Sequence, residues 1–217
     1  MNIATPTRTK STSGVVVDAL RQAILRGELK ATQPIRQQEI AEQLGVSVIP
    51  VREALMVLEG EGLVTIFPNR GAVVSSLSVS EANEIYQMRI ALESLALQQA
   101  IPHQTEQDWR RAEMILNEYD LVHDPVQTSD FNWQFHATLY RAANLPRVMS
   151  LLQNLYNNIA RYFVVYDSIN YYDEPQRAHR AILDACRKQD VLTATHLLEE
   201  HLRASVASLR KHLTPME

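Results

Sequence analysis

Seven histidines occur in the chain, and three of them, His136, His179 and His201, have the setting of metal ligands. A neutral imidazole offers one nitrogen lone pair. Three of them suit Zn²⁺ or Ni²⁺ and leave coordination positions open for a further ligand. Asn132 lies four residues before His136, so on a helix the two share a face. His179 and His201 fall on two successive helical patterns that an antiparallel hairpin can bring level. His103 and His123 lie at helix ends, His212 in the tail, and His196 off the face of His201; these read as solvated. Spacing alone leaves two readings for the three remaining histidines, a metal centre or a metal-free polar cavity. Arg89 is the other candidate. It sits beside an apolar stripe of Ile85, Met88, Leu92, Leu95 and Ala96, and a buried guanidinium needs a partner. Glu93, four residues on, supplies one in an ion pair; alternatively Arg89 faces a cavity and forks a small carboxylate. Asn158, between Leu155 and Tyr162, is a second candidate for lining that cavity.

A different chemistry is written in QEIAEQLGVSVIPVREALMVLEGEGL, residues 38–63. Ile40, Ala41 and Leu44 share one face of a short helix, and Gly45 follows where a left-handed backbone costs least. Ser47 is placed to cap a second helix through its side-chain oxygen. Pro50 then falls at the third helical position, where no intrahelical amide bond is lost. Val51, Ala54, Leu55 and Leu58 form the buried stripe, with Arg52 and Glu53 outside it. A helix-turn-helix of this kind offers its second helix to the DNA major groove. Leu63 to Ile66 and Ala72 to Val74 read as two strands joined by the turn Pro68-Asn69-Arg70-Gly71, which makes a wing. Before the motif, Val15 to Arg26 reads as one more helix, with Val16, Ala19, Leu20, Ala23 and Ile24 inward.

The run LGVSVIPVREAL, then EGLV and NRGAVV, resembles the GntR family of bacterial transcription regulators, whose pattern is close to LGVSRTPVREAL…EGLV…RG. The resemblance implies DNA contacts from Gln38, Ser47, Val48, Ile49, Arg52, Arg70 and Gly71. It also exposes a departure. Val48 and Ile49 stand where many members carry Arg-Thr, and Gln38 where relatives of the FadR branch carry a basic residue. One polar contact is thereby lost, and Val48 is suited to a thymine methyl instead.

Ser75 to Ser80 is a short polar linker, and Ser78 with Glu81 has capping-box spacing. Beyond it the pattern is helical throughout, with helices expected near 79–101, 105–123, 126–144, 147–170, 175–188 and 190–212. Prolines 102, 125, 146 and 175 punctuate them, and Thr105 and Asp190 serve as N-caps. The fold class is therefore mainly α: a winged helix-turn-helix over 14–76, an antiparallel helical bundle over 77–217, and a disordered tail over 1–13. MRIALE at 88–93, FNWQFHATLYRAANLP at 131–146 and AHRAILDACRKQDVLTATHLLEEHL at 178–202 resemble the FCD domain of the FadR-type branch. Six helices resemble its VanR-like variant. That resemblance implies a metal set of Asn132, His136, His179 and His201, with Asn132 where the family usually has Asp. Asn ligates through a neutral carbonyl oxygen, so the site carries one negative charge fewer. The resemblance further implies a small organic-acid effector and a homodimer on a palindromic operator, with repression relieved by the effector as the commoner mode.

Composition agrees. The chain has 217 residues, is 46% hydrophobic and 21% charged, and contains one cysteine, Cys186, which excludes an intrachain disulfide and fits a reducing cytoplasm. No apolar run is long enough to span a bilayer, so no membrane partner is expected. The formal net charge is −4, yet residues 1–77 hold 8 Lys and Arg against 7 Asp and Glu, whereas 78–217 hold 13 against 18. Phosphate contacts must be local, with a moderate salt dependence. A metal hydrolase or oxygenase is disfavoured because no general base stands beside the ligand set and an attached winged helix would be unexplained. A regulator that senses the metal ion itself is the alternative, and a sequence-blind architectural protein is disfavoured by the weak basic charge.

Overall fold

The computed structural model describes residues 11–68, 70–76, 78–122, 124–162 and 173–213. Expectations for residues 1–10, Asn69, His123, the helical stretch beyond Tyr162 and the side chain of His212 lie outside the described residues. The chain divides after Ser76 into two compact units.

In the first unit, α1 (Thr12–Leu25), α2 (Gln37–Leu44) and α3 (Val48–Gly60) pack on a three-stranded antiparallel sheet of β1 (Pro34–Ile35), β2 (Val64–Phe67) and β3 (Gly71–Val74) in the order β1-β3-β2. The first helix starts earlier than its apolar pattern predicts, because the Ser11 hydroxyl accepts from the Gly14 amide and caps it, so Thr12 and Ser13 are helical. Its buried side chains are Val16, Val17, Leu20, Ile24 and Leu25, while Ala19 and Ala23 are half-buried. Strand β1 has no sequence signal, being two residues with a proline, and exists through pairing of Pro34 and Ile35 with Val73 and Ala72 on β3. The stripe Val51, Ala54, Leu55 and Leu58 is fully buried, as its spacing demands, whereas Leu44 is left 40% exposed at the end of α2. Both motif helices close alike. Gly45 (φ 65°) and Gly62 (φ 74°) turn the chain left-handed, and the amides of Val46 and Leu63 reach back to the carbonyls of Ala41 and Leu58 at 2.9 Å. The acidic residues are structural here. Glu61 forks Arg21 at 2.6 and 3.0 Å, and Glu59 accepts from the Ile66 amide on β2.

The second unit comprises α4 (Val79–Ala100), α5 (Glu106–Tyr119), α6 (Pro125–Tyr140), α7 (Pro146–Ala160), α8 (Asp173–Arg187) and α9 (Val191–His212), with 3₁₀ turns at Ile101–His103 and Arg141–Ala143. Prolines start helices more than they stop them: Pro125 and Pro146 open α6 and α7, and Pro175 lies in the first turn of α8. Thr105 and Asp108 form a full capping box, and Asp190 caps α9 through the Thr193 amide. At α4 only half of the expected box forms. Ser78 accepts from the Glu81 amide, but the Glu81 carboxylate instead takes Arg161 at 2.8 Å and the Tyr162 hydroxyl at 2.7 Å. Helix α4 packs against α6, α7 and α9, and α8 against α5 and α9, around one apolar core. Cys186 lies in that core, where burial pushes its thiol up to about 12. Among the described residues no helix is long and apolar enough to cross a membrane.

Because nothing lies within 4 Å of a Cβ built on Gly45, substitution there tests backbone strain alone. Gly45→Ala is expected to destabilise the first unit by about 1–2 kcal/mol, read as a lower urea midpoint for its transition in the full chain. Gly45→Asn should lose less, because Asn tolerates the left-handed region.

Candidate metal centre and nucleic-acid interface

The three histidines come together in the middle of the bundle. His136 comes from α6, His179 from α8 and His201 from α9, and each is buried. One nitrogen of each lies within 4.8 Å of the others, and the ring centroids are 4.5 to 5.5 Å apart. Asn132 is buried one helical turn before His136.

Hydrogen bonds decide which nitrogens are free. The Tyr140 hydroxyl donates its single proton to Glu93 Oε2 at 2.6 Å, so its oxygen accepts from His136 Nδ1 at 2.9 Å. Nδ1 therefore carries the proton of His136, and Nε2 keeps its lone pair. Gln176 Oε1 lies 3.5 Å from His179 Nδ1. Among the described residues the Nε2 atoms of His136 and His179 are buried with no hydrogen-bond partner. Buried lone pairs without partners are rare, and a cation or a donor between the rings would satisfy both. The neutral state is enforced. Burial, then neighbouring imidazoles and Arg89, hold His136 and His179 well below the ordinary histidine range; burial and then Arg89 lower His201 to about 3. Neutral imidazoles with inward lone pairs fit a divalent transition metal.

Behind the cluster lies a network that sequence reading only partly found. Arg89 forms the ion pair, with Nε 2.7 Å from Glu93 Oε1, and donates to the Tyr156 hydroxyl at 2.6 Å. Its guanidinium lies 4.0 Å from the Tyr156 ring centroid and 4.8 Å from that of Tyr86. Arg89 thus orients Glu93, and Glu93 orients Tyr140 and through it His136. Such outer contacts fix ring direction and raise ligand basicity. Tyr140 was findable, because it follows His136 by one helical turn; Tyr156 was not, since only packing of α7 on α4 brings it in. Asn158 is half-buried and donates to the Asn154 carbonyl of its own helix, and among the described residues no hydrogen bond joins it to Arg89 or the histidines.

In the first unit the expected DNA residues fall on α2, at the start of α3 and at the wing turn. Ser47 has extended N-cap geometry, but its hydroxyl makes no cap bond, contrary to expectation, and stays solvent-exposed. Ile49 is 68% exposed at the start of α3, and Val48 half-buried beneath it. Arg52 is exposed one turn later, and its Nε donates to Gln37 Oε1 at 2.9 Å. Gln37, which sequence reading passed over, therefore holds Arg52 from α2, with Gln38 exposed beside it. At the wing, Arg70 is exposed and Gly71 has φ 86°.

The buried imidazoles fix a pH dependence. The unfolded chain protonates histidine near 6.5, the folded chain resists until about 3 at His201, so stability from this source is constant above 6.5 and falls below it. In the presence of a chelator, the melting temperature should decline as pH drops under 6.5, each buried imidazole contributing about 1.4 kcal/mol per pH unit. A profile flat from neutrality to pH 5 would show that these rings are not buried neutral.

Comparison with known proteins assigns both units. Residues 12–74 match the model for "Bacterial regulatory proteins, gntR family", and residues 84–204 match the FCD domain. The uncharacterized HTH-type transcriptional regulator YdhC of Bacillus subtilis is 26% identical over 200 residues, covering 88% of each chain. The HTH-type transcriptional repressor RspR of Escherichia coli is 27% identical over 198 residues, covering 88% of this chain and 86% of its own. The solved structure of E. coli McbR/YncC superposes with a TM-score of 0.80 at 24% identity, covering 94% of this chain and 99% of that one, which shows the shared fold. The chain therefore belongs to the GntR family of bacterial transcription regulators, with a DNA-binding winged helix-turn-helix followed by an FCD domain.

Proposed function

We propose that this regulator is a cytoplasmic repressor that binds a palindromic operator as a homodimer, and that its bundle binds one divalent transition metal, Zn²⁺ or Ni²⁺, together with a small carboxylate that relieves repression. The observation that carries the reading is the buried trio of neutral imidazoles with two unpartnered Nε2 atoms. His136, His179 and His201 would hold the ion, with Asn132 as a neutral fourth donor. The metal would supply a Lewis-acid anchor for an anion in the open positions. Several relatives named as repressors support the sign of control. The dimer is supported by exposed apolar side chains on two helices that pack together, Met88 and Leu95 on α4 and Leu151 on α7. A two-fold dimer also doubles the base pairs read by one small winged domain.

On DNA, Arg52 would reach a guanine edge, Ile49 and Val48 thymine methyls, Ser47 and Gln38 phosphate, and Arg70 with Gly71 the minor groove or backbone. Arg52→Ala is expected to weaken specific binding by about 1–3 kcal/mol, measured against a selected operator at fixed salt. Gln37→Ala should show a smaller loss of the same kind, because it frees Arg52 without removing it. Wild-type affinity in Arg52→Ala would place base reading elsewhere on the domain.

For the metal, thermal melting with excess Zn²⁺ or Ni²⁺ should exceed that with chelator, since an ion that binds only the folded state stabilises it with the logarithm of its concentration. The double change of His179 and His201 to Ala should remove the difference. Tyr140→Phe should retain binding but weaken it about 10–100-fold, as expected on loss of the contact that orients His136. Less than about a tenth of an equivalent of bound metal after incubation with excess ion would leave the cluster as a metal-free anion pocket. A melting and operator response to metal with no organic acid present would favour the ion itself as the signal.

A further inference from the structure

The wing carries an aromatic side chain that the winged unit itself does not use. Phe67 ends β2 and is 46% exposed. Along this strand Val64 is buried and Thr65 exposed, Ile66 half-buried and Phe67 exposed, so Thr65 and Phe67 lie on the outer face. Residues directly opposite in an antiparallel pair share a face, and the register sets Thr65 against Val73 and Phe67 against Gly71. Phe67 therefore faces a residue with no side chain to cover it. Its ring does not fold back across the pair either, because a Cβ built on Gly71 would meet nothing within 4 Å. In the order β1-β3-β2, β2 is also an edge strand, open on its other side. A single exposed apolar side chain is ordinary on a protein surface. This one is set apart by its neighbours. The Arg70 amide donates to the Phe67 carbonyl at 3.0 Å, which closes the wing turn and brings an exposed arginine back beside the ring. The strand beneath is held firmly. Its four residues pair with β3, and the Ile66 amide donates to Glu59 of α3 at 2.9 Å. The ring is thus carried on a fixed strand rather than a loose loop, so little order is lost when it meets a partner.

We propose that Phe67 is a wedge for DNA: with the wing turn at the minor groove, its ring enters a base step and partly unstacks it, so the regulator selects a deformable step that none of its hydrogen bonds reads. The inference rests on the placement of the wing given above and adds a specificity residue to it. An apolar ring gains nothing from phosphate oxygens. It loses water only against base faces and sugars, and apolar wedges at the minor groove act in this way. Arg70 beside it supplies the positive charge that draws the wing to the backbone. Unstacking costs least at the pyrimidine–purine steps TA and CA/TG, so those steps are the ones favoured under the wing.

The test uses the full chain and an operator selected by it from random duplexes, at fixed salt. Flanking steps are varied one at a time, and 2-aminopurine is moved through the same positions as a probe of stacking. Wild-type protein is expected to bind an operator with TA or CA at one flanking step about tenfold more tightly than one with GC there, and to brighten 2-aminopurine at that step. F67A should lose both the step preference and the brightening. F67L, still apolar, should keep most of the preference. R70A should weaken binding to all flanks alike, since a phosphate contact carries no sequence. Phe67 is exposed, so these variants are expected to melt as the wild type does, which circular dichroism checks. Equal step preference in wild type and F67A, or brightening that survives in F67A, would overturn the wedge while leaving the wing on DNA. Wild-type affinity in R70A together with F67A would remove the wing from the interface, and the wedge with it.

Discussion

The bundle is organised around a polar cluster that an apolar core would ordinarily exclude. Three imidazoles sit where water scarcely reaches, and two of them present lone pairs to one another's space without a donor. Leaving a buried acceptor unmade costs about 1–3 kcal/mol each, so the two Nε2 atoms call for a partner between α6, α8 and α9. Apolar packing frames the cluster: Phe135 and Tyr140 on α6, Ile182 and Leu183 on α8, and Leu198 and Leu202 on α9 are all buried within one residue to one turn of a cluster histidine.

The polar network behind the cluster gives the site its direction. A buried arginine and glutamate pair is weak evidence for stability taken alone. Here its geometry has a use. Arg89 and Glu93 lie one turn apart on α4, Tyr140 reaches across from α6, and Tyr156 from α7, so three helices are tied to the back of one imidazole. His136 can present only Nε2 to the cluster, because its other nitrogen is committed to that chain of donors. Of the two readings open for Arg89 in the sequence, the ion pair with Glu93 is the one present here, and it makes Arg89 the far anchor of this chain.

In the winged unit the same logic runs with smaller forces. The helix-turn-helix is held from beneath by the apolar stripe of α3 and from its edges by ion pairs and capping carboxylates, with Glu61 on Arg21 and Glu59 on the β2 backbone. Of the seven Asp and Glu residues that leave this region barely basic, Glu61 and Glu59 are engaged by the fold, and Glu53 stands exposed beside Arg52. The free edge offers an apolar step at Ile49, a buttressed guanidinium at Arg52 and a tight wing turn at Gly71.

Much of this was written in the order of residues. The stripe of α3, the left-handed positions at Gly45 and Gly62, the six helices of the bundle and the caps at Thr105 and Asp190 all depend on periods and turns within a few residues, which a sequence displays directly. The three histidines were legible as a set because two lie on a predicted hairpin and the third shares a face with a polar neighbour. Four outcomes needed the tertiary structure. Strand β1 has no local signal and forms only because β3 offers an edge. The hydroxyl of Ser47 is left free. Glu81 abandons its own cap for Tyr162 and Arg161, since a carboxylate favours a guanidinium and a phenol over an amide at its own helix start. The Tyr156 partner of Arg89, and the Glu93 contact that turns the Tyr140 hydroxyl and with it fixes the free nitrogen of His136, come from hydrogen bonds between residues 67 and 47 positions apart. Short-range periodicity determines which side chains are on offer, and long-range packing decides which atoms of them remain unpaired.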